Sequence, residues 1–584
     1  MIIAEATQHD EQVALAEELM DKKEFKAAAF EASKVLEELE PSLETIAHAA
    51  LLKGRALTTH VLTEMSEKGE LPPTETFDAI WKVYELSRKL NPDCETTKEE
   101  MTKVSHLLRE LPPPRPPKQV AKADFDVLVV GAGAAGIGCA LMLTKTFGVD
   151  MSRVVLMEQG EHVGQTFRNW PKEMRFISPS FNQQGWTDSF DLNAIANNTS
   201  PAYTLHTEHP SGSEYADYLS AIAKTTKLNV QTSTKVVSIK KVSDSKDLPL
   251  FSVKIAKKPS NKTETLLVRY VVWAAGEFQY PRASAAKKEQ HKEMKSVQED
   301  KHDDNNKNDK GEKATTRDFP GSELCMHNSE VRSWAELPGD DFVIIGGYES
   351  GVDAAVNLSK AGKKCKVLAS TPCWSVKTAD PSFELAPYTA ARLRTVLAKG
   401  FSPQPSLFAP LRVVRVVKAE TGGFRVTAKW KVREVASHAP LRNLVNEAPT
   451  EPMGQENTNI VMHTQHPPVL CTGFEGSVAA SASHLFEFAD SSKSKKGCLD
   501  GAPLLTKNDE STKIPGVFLV GPTVSHGTLS FCFVYKFRQR FAVVANSICG
   551  GLGIDTRAAV ADCRKANMYL DDFSCCSGTC SDVC

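Results

Sequence analysis

One stretch near residue 130 restricts the possible folds of this 584-residue chain more than any other. Residues 125–130 (FDVLVV) have the composition of a buried parallel strand, and they run directly into the glycine-rich sequence GAGAAG at 131–136. A helix of small residues follows, and a second apolar strand at 154–157 ends in Glu158. Strand, glycine turn, helix, strand and terminal acid in this order predict a Rossmann βαβ unit that binds a dinucleotide.

Each glycine of this turn has its own expected task. The first permits the tight turn, the second lets the backbone approach a pyrophosphate, and the third lets helix and strand pack closely. The N-terminus of the helix then points the positive end of its dipole at the phosphates, and the terminal acid is placed to bind ribose hydroxyls. The alternative is a plain glycine-rich turn. The predicted residues of this first cofactor site are Gly131, Gly133, Ala134, Ala135, Gly136, Glu158, Gln159 and Gln165.

The same pattern recurs later in the chain with two departures. The apolar strand Asp341–Ile345 leads into GGYESG, in which Gly346 and Gly351 match the outer glycines and are the predicted residues of a second nucleotide site. Tyr348 stands where the middle glycine is expected, so its phenol has to point away from a pyrophosphate or block it. The next strand ends in Ala369 with no acid, which favours NADPH over NADH. A degenerate Rossmann domain with weak or absent nicotinamide binding is the alternative.

Further segments, in the expected order, resemble motifs of flavin-containing monooxygenases and related flavoproteins with two dinucleotide sites. They are VGQTFRNWP at 163–171, WAAGEF at 273–278, VLCTGF at 469–474 and PGVFLVGP at 515–522. The resemblance covers residues 124–550 apart from a polar insertion. It implies FAD in the first site, NAD(P)H in the second, and a late motif at Gly521 that approaches the flavin. Pro522 departs from the Asp that disulfide reductases commonly have there.

The implied fold class is α/β, with two Rossmann-type dinucleotide-binding domains for FAD and NAD(P), preceded by an all-α, repeat-like helical domain. Helical periodicity runs from Asp10 to Leu39, from Ile46 to Met65 and from Phe77 to Leu90. A small residue in the packing face and a proline after the second helix resemble tetratricopeptide repeats, which implies a protein partner. A plain helical bundle that covers the enzyme is the alternative.

The composition of successive stretches predicts the domain boundaries. Residues 283–316 have almost no large apolar side chains, which predicts a disordered insertion, and the polar stretch at 443–459 predicts another long loop. The predicted segments are a helical tetratricopeptide-like domain at 1–111, a Pro-rich linker at 112–123, the FAD-binding domain at 124–282 and 475–565, the insertion at 283–316, the NAD(P)-binding domain at 317–474 and a Cys-rich tail at 566–584.

Reduced FAD passes electrons to oxygen or to sulfur, and the sequence leaves both open. Phe319-Pro320-Gly321, His327 and Trp334 approximate the linker motif of the monooxygenases, although the histidine comes two residues late. Otherwise His327 begins a loop and Trp334 packs at a domain interface. The order of the motifs favours monooxygenase-like chemistry, with hydride transfer from NADPH to FAD followed by oxygen activation on a small-molecule substrate.

The rival is an NADPH-dependent reductase of thiol or disulfide substrates. Four cysteines stand in the last ten residues, where a mobile tail could relay electrons, and no CxxC pair accompanies the flavin motifs. The same cysteines could hold Zn²⁺ or Cu(I), or be inert. His526 lies just after the late motif and is a candidate for proton transfer or a structural residue. The candidate catalytic residues are therefore Cys575, Cys576, Cys580, Cys584 and His526. Cys139 and Cys532 are predicted to be core residues.

The net charge and the apolar content of the chain limit the kinds of partner that we expect. The net charge of −2 gives no reason to expect nucleic acid or an anionic membrane, and no run approaches the ~18 apolar residues of a spanning helix. The N-terminal residues lack a basic and apolar leader, so we expect a cytoplasmic protein whose cysteines are mostly reduced. A non-enzyme alternative is an FAD-bound scaffold that acts through its helical domain.

Overall fold

A computed structural model describes most of the chain. The described residues are 13–37, 42–68, 74–110, 123–180, 191–243, 248–282, 319–375, 384–431, 458–489, 502–527 and 529–573. The predicted insertion, nearly all of the predicted linker, most of the loop at 443–459 and the four tail cysteines lie outside them. The chain divides into two compact units, Met1–Pro116 with Gly553–Asp562, and Pro117–Leu552 with Cys563–Cys584.

The first unit is helical, as the periodicity predicts. Besides the helical residues 13–21, its helices are α1 (Phe25–Glu37), α2 (Leu43–Lys68), α3 (Thr74–Leu90) and α4 (Glu95–Glu110). A Cβ added at Gly54 of α2 would lie 2.7 Å from the ring of Tyr84 in α3, so the small residue allows these helices to approach closely. Ala561, from the segment predicted as FAD-binding, joins the core of this unit with Leu51 and Trp81. The resemblance to tetratricopeptide repeats stays a prediction.

The second unit is a mixed α/β structure, and its larger sheet has seven strands in the order β3-β2-β1-β6-β5-β4, with β17 also paired to β6. β1 is parallel to β2 and β6, whereas β4, β5 and β6 are antiparallel. Because the order reverses beside β1, its carboxyl end is the switch point where such sheets bind ligands. The strands are β1 (Phe125–Val130), β2 (Val154–Met157), β3 (Val230–Gln231), β4 (Thr234–Ser243), β5 (Leu250–Lys257), β6 (Lys262–Trp273) and β17 (Val517–Leu519).

A second sheet of five parallel strands has the order β11-β10-β9-β15-β8. A three-stranded antiparallel sheet, β12-β13-β14, covers one of its faces. The strands are β8 (Met326–His327), β9 (Asp341–Ile345), β10 (Lys364–Leu368), β11 (Ser406–Phe408), β12 (Leu411–Lys418), β13 (Phe424–Trp430), β14 (Asn459–Thr464) and β15 (Val469–Leu470).

The alternation of side chains along β9 explains how this sheet is sandwiched. Phe342 and Ile344 enter a core shared with the helix that follows β9, and Val343 and Ile345 enter a second core shared with β12 to β14. Successive residues of a strand point to opposite faces, so a strand covered on both sides has to be apolar throughout. This is the pattern that the sequence shows at 342–345.

The remaining elements connect or cover these sheets. The helices of the second unit are α5 (Ala134–Leu141), α6 (Gln165–Arg168), α7 (Pro201–Leu205), α8 (Gly212–Thr225), α9 (Glu349–Lys360), α10 (Pro387–Leu397), α11 (Ser477–Ser481) and α12 (Val534–Gly551), and helix α13 spans Arg557–Lys565. The short strands are β7 (Tyr280–Pro281), β16 (Phe474–Glu475), β18 (Ser525–His526) and β19 (Leu529–Ser530). α5 packs against α12, where a Cβ at Gly138 would overlap the ring of Phe541.

Candidate functional site

The first glycine turn joins β1 to α5. Gly131 has a φ of +104°, and a Cβ there would lie 2.7 Å from the carbonyl oxygen of Ala274 at the end of β6. A Cβ at Gly136 would overlap the carbonyl oxygen of Gly131. The close approach of strand, helix and neighbouring strand therefore requires both glycines, whatever the turn binds.

Gly133 is a different case, because its backbone would accept a side chain. It is the N-cap residue of α5, with φ −86° and ψ −167°. A Cβ at this position meets no atom of the described residues within 4 Å, and none of their side chains caps the helix. The turn thus leaves an open space in front of a helix N-terminus, which is the place where backbone N–H groups and the helix dipole bind a pyrophosphate.

The late motif comes close to this turn. Gly521 has a φ of +109°, and a Cβ there would lie 3.2 Å from the methyl group of Ala135 in the first turn of α5. Thr523, two residues further on, donates a hydrogen bond to Glu277 in the loop after β6. The structure therefore brings together three segments that the sequence motifs single out at 131–136, 273–278 and 515–522.

Glu158 lies at the mouth of the glycine turn. One carboxylate oxygen accepts a hydrogen bond from the backbone N–H of Ala132 (2.9 Å) and the other from that of Gly160 (2.8 Å). These bonds fix the carboxylate, and each oxygen retains acceptor capacity for a ribose hydroxyl. The loop that follows is tied to the turn, since the N–H of Gly164 donates to the carbonyl of Ala132 at 2.9 Å, and Gln165 begins helix α6 there.

A cavity of about 160 Å³ opens beside the turn. Its wall includes Gly131, Glu158 and Gln159 together with Val236 of β4 and Trp273 of β6. The Nε2 of Gln159 donates to Gln279, another lining residue, at 2.6 Å. Aliphatic and aromatic surface with a few convergent polar groups is typical of sites for small ligands.

The second glycine turn, between β9 and α9, has almost the same backbone. Gly346 has a φ of +107°. A Cβ there would overlap the carbonyl oxygen of Cys471 at the end of β15, and a Cβ at Gly351 would overlap the carbonyl oxygen of Gly346. Tyr348 is the N-cap residue of α9, and it is 42% exposed.

Two carboxyl groups lie near the start of α9. Glu349 takes the place of Ala134, and its oxygens accept hydrogen bonds from the N–H of Ala386 (2.6 Å) and the hydroxyl of Thr389 (2.5 Å). Burial raises the pKa of Glu349. Burial also raises the pKa of Asp353, which pairs with Arg392 at 2.5 Å. The first turn of α5, by contrast, contains no acid.

A buried charge network surrounds His526. Its Nε2 lies 2.6 Å from Oδ1 of Asp509, and Arg540 donates from Nε and Nη2 to the two oxygens of the same carboxylate at 2.8 Å each. The side chains of Asp509 and Arg540 are fully buried. Sequence reasoning missed both residues. The available signal was an arginine within an apolar helical stretch, because a buried guanidinium needs an acidic partner.

The C-terminal chain reaches this network. The ring of Phe573 stacks on His526 at 4.8 Å between centroids, and the guanidinium of Arg540 lies 5.0 Å from the centre of the same ring. Phe573 is the last described residue, so Cys575, Cys576, Cys580 and Cys584 lie beyond the described part and their roles stay predictions.

His327 and Trp334 have structural partners. His327 is 3% exposed, and its Nε2 lies 3.1 Å from the carbonyl oxygen of Gly473. Trp334 is fully buried in the core beneath the second sheet, and its backbone N–H donates to Glu173 at 3.0 Å. Burial acts to raise the pKa of Glu173, but hydrogen bonds from Ser333 and the neighbouring backbone outweigh it and lower that pKa.

The two cysteines predicted as core residues differ in outcome. Cys139 is buried in α5, as predicted, whereas the prediction for Cys532 was wrong because its side chain is exposed. Helix α12 begins only at Val534, so Cys532 lies in an extended stretch. Its neighbour Phe531 is 1% exposed, and successive side chains of an extended chain alternate in direction.

None of the helices described is both long and apolar enough to cross a membrane. Within the same residues, no group of three or more His, Cys, Asp or Glu side chains is arranged to hold a metal ion.

The fold and the paired glycine turns define a protein of the mixed α/β class with two sheets that each carry a glycine turn. The model of the family described as pyridine nucleotide-disulphide oxidoreductase matches residues 128–310 and 311–429, just over half of the chain. The chain therefore belongs to the pyridine nucleotide-disulphide oxidoreductase family.

Individual proteins show weaker similarity. An uncharacterized oxidoreductase of Bacillus velezensis, CzcO, is 22% identical over 238 residues, which are 40% of this chain and 52% of that protein, so the match spans about half of the relative's length. Bacillithiol disulfide reductase Bdr (YpdA) from Bacillus cereus is 16% identical, with a TM-score of 0.47 over 73% of this chain and 99% of that one. An ornithine N-hydroxylase of Kutzneria sp. 744 is 13% identical, with a TM-score of 0.48 over 73% and 99%.

Proposed function

We propose that the chain is an FAD-dependent oxidoreductase that consumes NADPH. The observation that carries this proposal is the first glycine turn, where Gly133 leaves open space in front of an uncapped helix N-terminus. The N–H groups at the start of α5 would hold the pyrophosphate, Glu158 would accept a ribose hydroxyl, and the cavity beside Val236 would receive the adenine. When bound, FAD supplies transfer of an electron pair from the nicotinamide to a second substrate.

For the second substrate, the order of the sequence motifs favours oxygen, used in monooxygenase-like chemistry on a small molecule. Gly521 brings the late motif beside Ala135, which supports a flavin position near residues 521–526. Asp509 accepts a hydrogen bond from His526 Nε2 when that nitrogen is protonated, so it would orient the ring for proton transfer in this region. NADPH, rather than NADH, is proposed because the position after β10 is Ala369 and not an acid.

One observation favours disulfide reduction as a second candidate. Phe573 is held against His526, and Cys575 follows two residues later. In this candidate, the tail cysteines that follow Phe573 in the sequence would exchange electrons between the cofactor and a substrate disulfide.

Anaerobic stopped-flow absorbance of the purified yellow protein tests the proposal. NADPH should bleach the flavin band, and admission of oxygen should then produce a long-lived absorbance distinct from both oxidised and reduced flavin. Bleaching without that absorbance, followed by disulfide-driven reoxidation that is lost when the four tail cysteines are replaced by serine, would establish the second candidate. A protein that retains FAD but is not bleached by NADPH or NADH would contradict the proposal and support a scaffold.

A further inference from the structure

The two glycine turns coincide in their backbone, so one shows what the other has changed. Gly131 and Gly346 have φ of +104° and +107°. The N-cap residues of α5 and α9, Gly133 and Tyr348, have φ/ψ of −86°/−167° and −100°/−161°. At matched backbone angles, the Cβ of residue 348 points in the direction that a Cβ at residue 133 would take.

The direction of the Cβ at Gly133 leads into the space where a ligand would bind. A Cβ at Gly133 meets no described atom within 4 Å, and this is the space in which a pyrophosphate contacts the turn and the helix N-terminus. In the second turn, the side chain of Tyr348 starts in the direction of the corresponding space. Tyr348 is 42% exposed, so its side chain is not buried in the core.

Within the described part of the chain, the N-terminus of α9 is uncapped, like that of α5. Helix α9 has 12 residues, and within the described residues no side chain caps its N-terminus. The carboxylate of Glu349 is directed to Ala386 and Thr389 of the α10 region. Among the residues between the two outer glycines, Tyr348 is therefore the one whose Cβ starts in the direction from which a pyrophosphate would approach.

We propose that Tyr348 limits the affinity of the second site, because its side chain starts in the direction from which the pyrophosphate of a nicotinamide dinucleotide would approach and must turn aside before that pyrophosphate can bind. This inference deepens the proposed function and rests on it for the identity of the ligand. A site that is competent for only part of the time shows an affinity lowered by that fraction. The ring thus sets how tightly NADP⁺ and NADPH are held.

Calorimetric titration of the flavin-loaded protein with NADP⁺ tests the inference without any turnover. Tyr348→Gly should lower the dissociation constant by about tenfold, which corresponds to about 1.4 kcal/mol. Tyr348→Ala should give a smaller gain and Tyr348→Phe the smallest, because Phe retains the ring. Gly is well tolerated at an N-cap, and the FAD content of each variant should match that of the wild type.

Tyr348→Gly that binds NADP⁺ no more tightly than the wild type, with its FAD content intact, would overturn the inference. So would weaker binding, which would mean that the ring contacts the ligand favourably. Hydride transfer is measured separately, as bleaching of the flavin by NADPH. If NADP⁺ binds and the Gly variant binds it more tightly but NADPH does not bleach the flavin, the proposed function fails while the inference stands.

Discussion

A comparison of the first and second glycine turns of the α/β unit distinguishes the glycines that the fold requires from the glycine that a ligand would require. In both turns the outer glycines are fixed by the backbone, because a Cβ at Gly136 or Gly351 would overlap a carbonyl oxygen of the same turn. The middle position has ordinary extended angles in both and tolerates a side chain. We therefore infer that Gly133 would serve the ligand, because the second turn keeps almost the same backbone with Tyr348 at the equivalent position.

The residues around the two turns also differ in a way that favours ligand binding at the first turn. The first has Glu158 fixed at its mouth and no acid in the first turn of its helix. The second has Ala369 at the corresponding strand end, and Glu349 and Asp353 in its helix. Carboxylates near a helix N-terminus reduce its attraction for phosphate. We infer a tight site for FAD and a weaker, adjustable site for the nicotinamide nucleotide.

The largest effect on stability is expected when side chains are introduced at the outer glycines of the two turns. Gly136→Val and Gly351→Val should each lower the free energy of unfolding by on the order of 3 kcal/mol or more, because the overlapping atoms belong to the backbone and cannot move aside. Thermal unfolding followed by circular dichroism measures the loss. Gly550→Ala, in helix α12 with open space for a Cβ, is the control and should retain stability. A Gly351→Val protein as stable as the wild type would contradict the claim that the backbone of the second turn requires a glycine at this position.

A smaller effect is expected at the acid that only the first turn has. Glu158→Ala removes a carboxylate that accepts hydrogen bonds from Ala132 and Gly160 and that would bind the ribose. Hydrogen bonds to charged groups contribute about 1.5–3 kcal/mol, so FAD should bind at least tenfold more weakly. Titration of the apoprotein with FAD, followed by fluorescence, measures this. Glu349→Gln, whose side chain faces α10, is the control, and equal losses in the two variants would contradict the assignment.

The smallest expected effect concerns the pH dependence of Glu349. Burial raises its pKa in the folded state, so its contribution to stability is present at acidic pH and is lost as the pH rises through that raised pKa. Glu349→Gln has no such titration. The stability of the variant relative to the wild type should therefore increase between about pH 4.5 and pH 7.5. Urea unfolding at both pH values checks this, and a difference that does not change with pH would contradict it.

Much of the scaffold around the turns was predictable from local patterns. The apolar strands at 125–130 and 341–345 and the glycine runs after them are contiguous in sequence, so periodicity and turn chemistry were sufficient. The carboxyl ends of neighbouring strands then bring residues 273–278 and 469–474 beside these turns. The order of the motifs along the sequence was therefore enough to predict that these segments lie near the glycine turns.

Contacts between distant elements were not predictable in this way. Asp509 and Arg540 meet only because a loop and helix α12 pack together, and Glu173 reaches Ser333 across 160 residues of chain. The exposure of Cys532 depends on where helix α12 begins, and the boundaries of helices are weak signals. These features depend on tertiary packing, which a single sequence does not specify locally.

The content of FAD in matched valine variants tests the central claim most directly. Each purified protein is heat-denatured, and the released flavin is identified and counted per chain. We predict about one FAD per chain in the wild type and in Tyr348→Val, and little or none in Gly133→Val, with all three showing the same circular dichroism. A Gly133→Val protein that remains fully loaded with FAD would contradict the assignment of the first glycine turn as the FAD site.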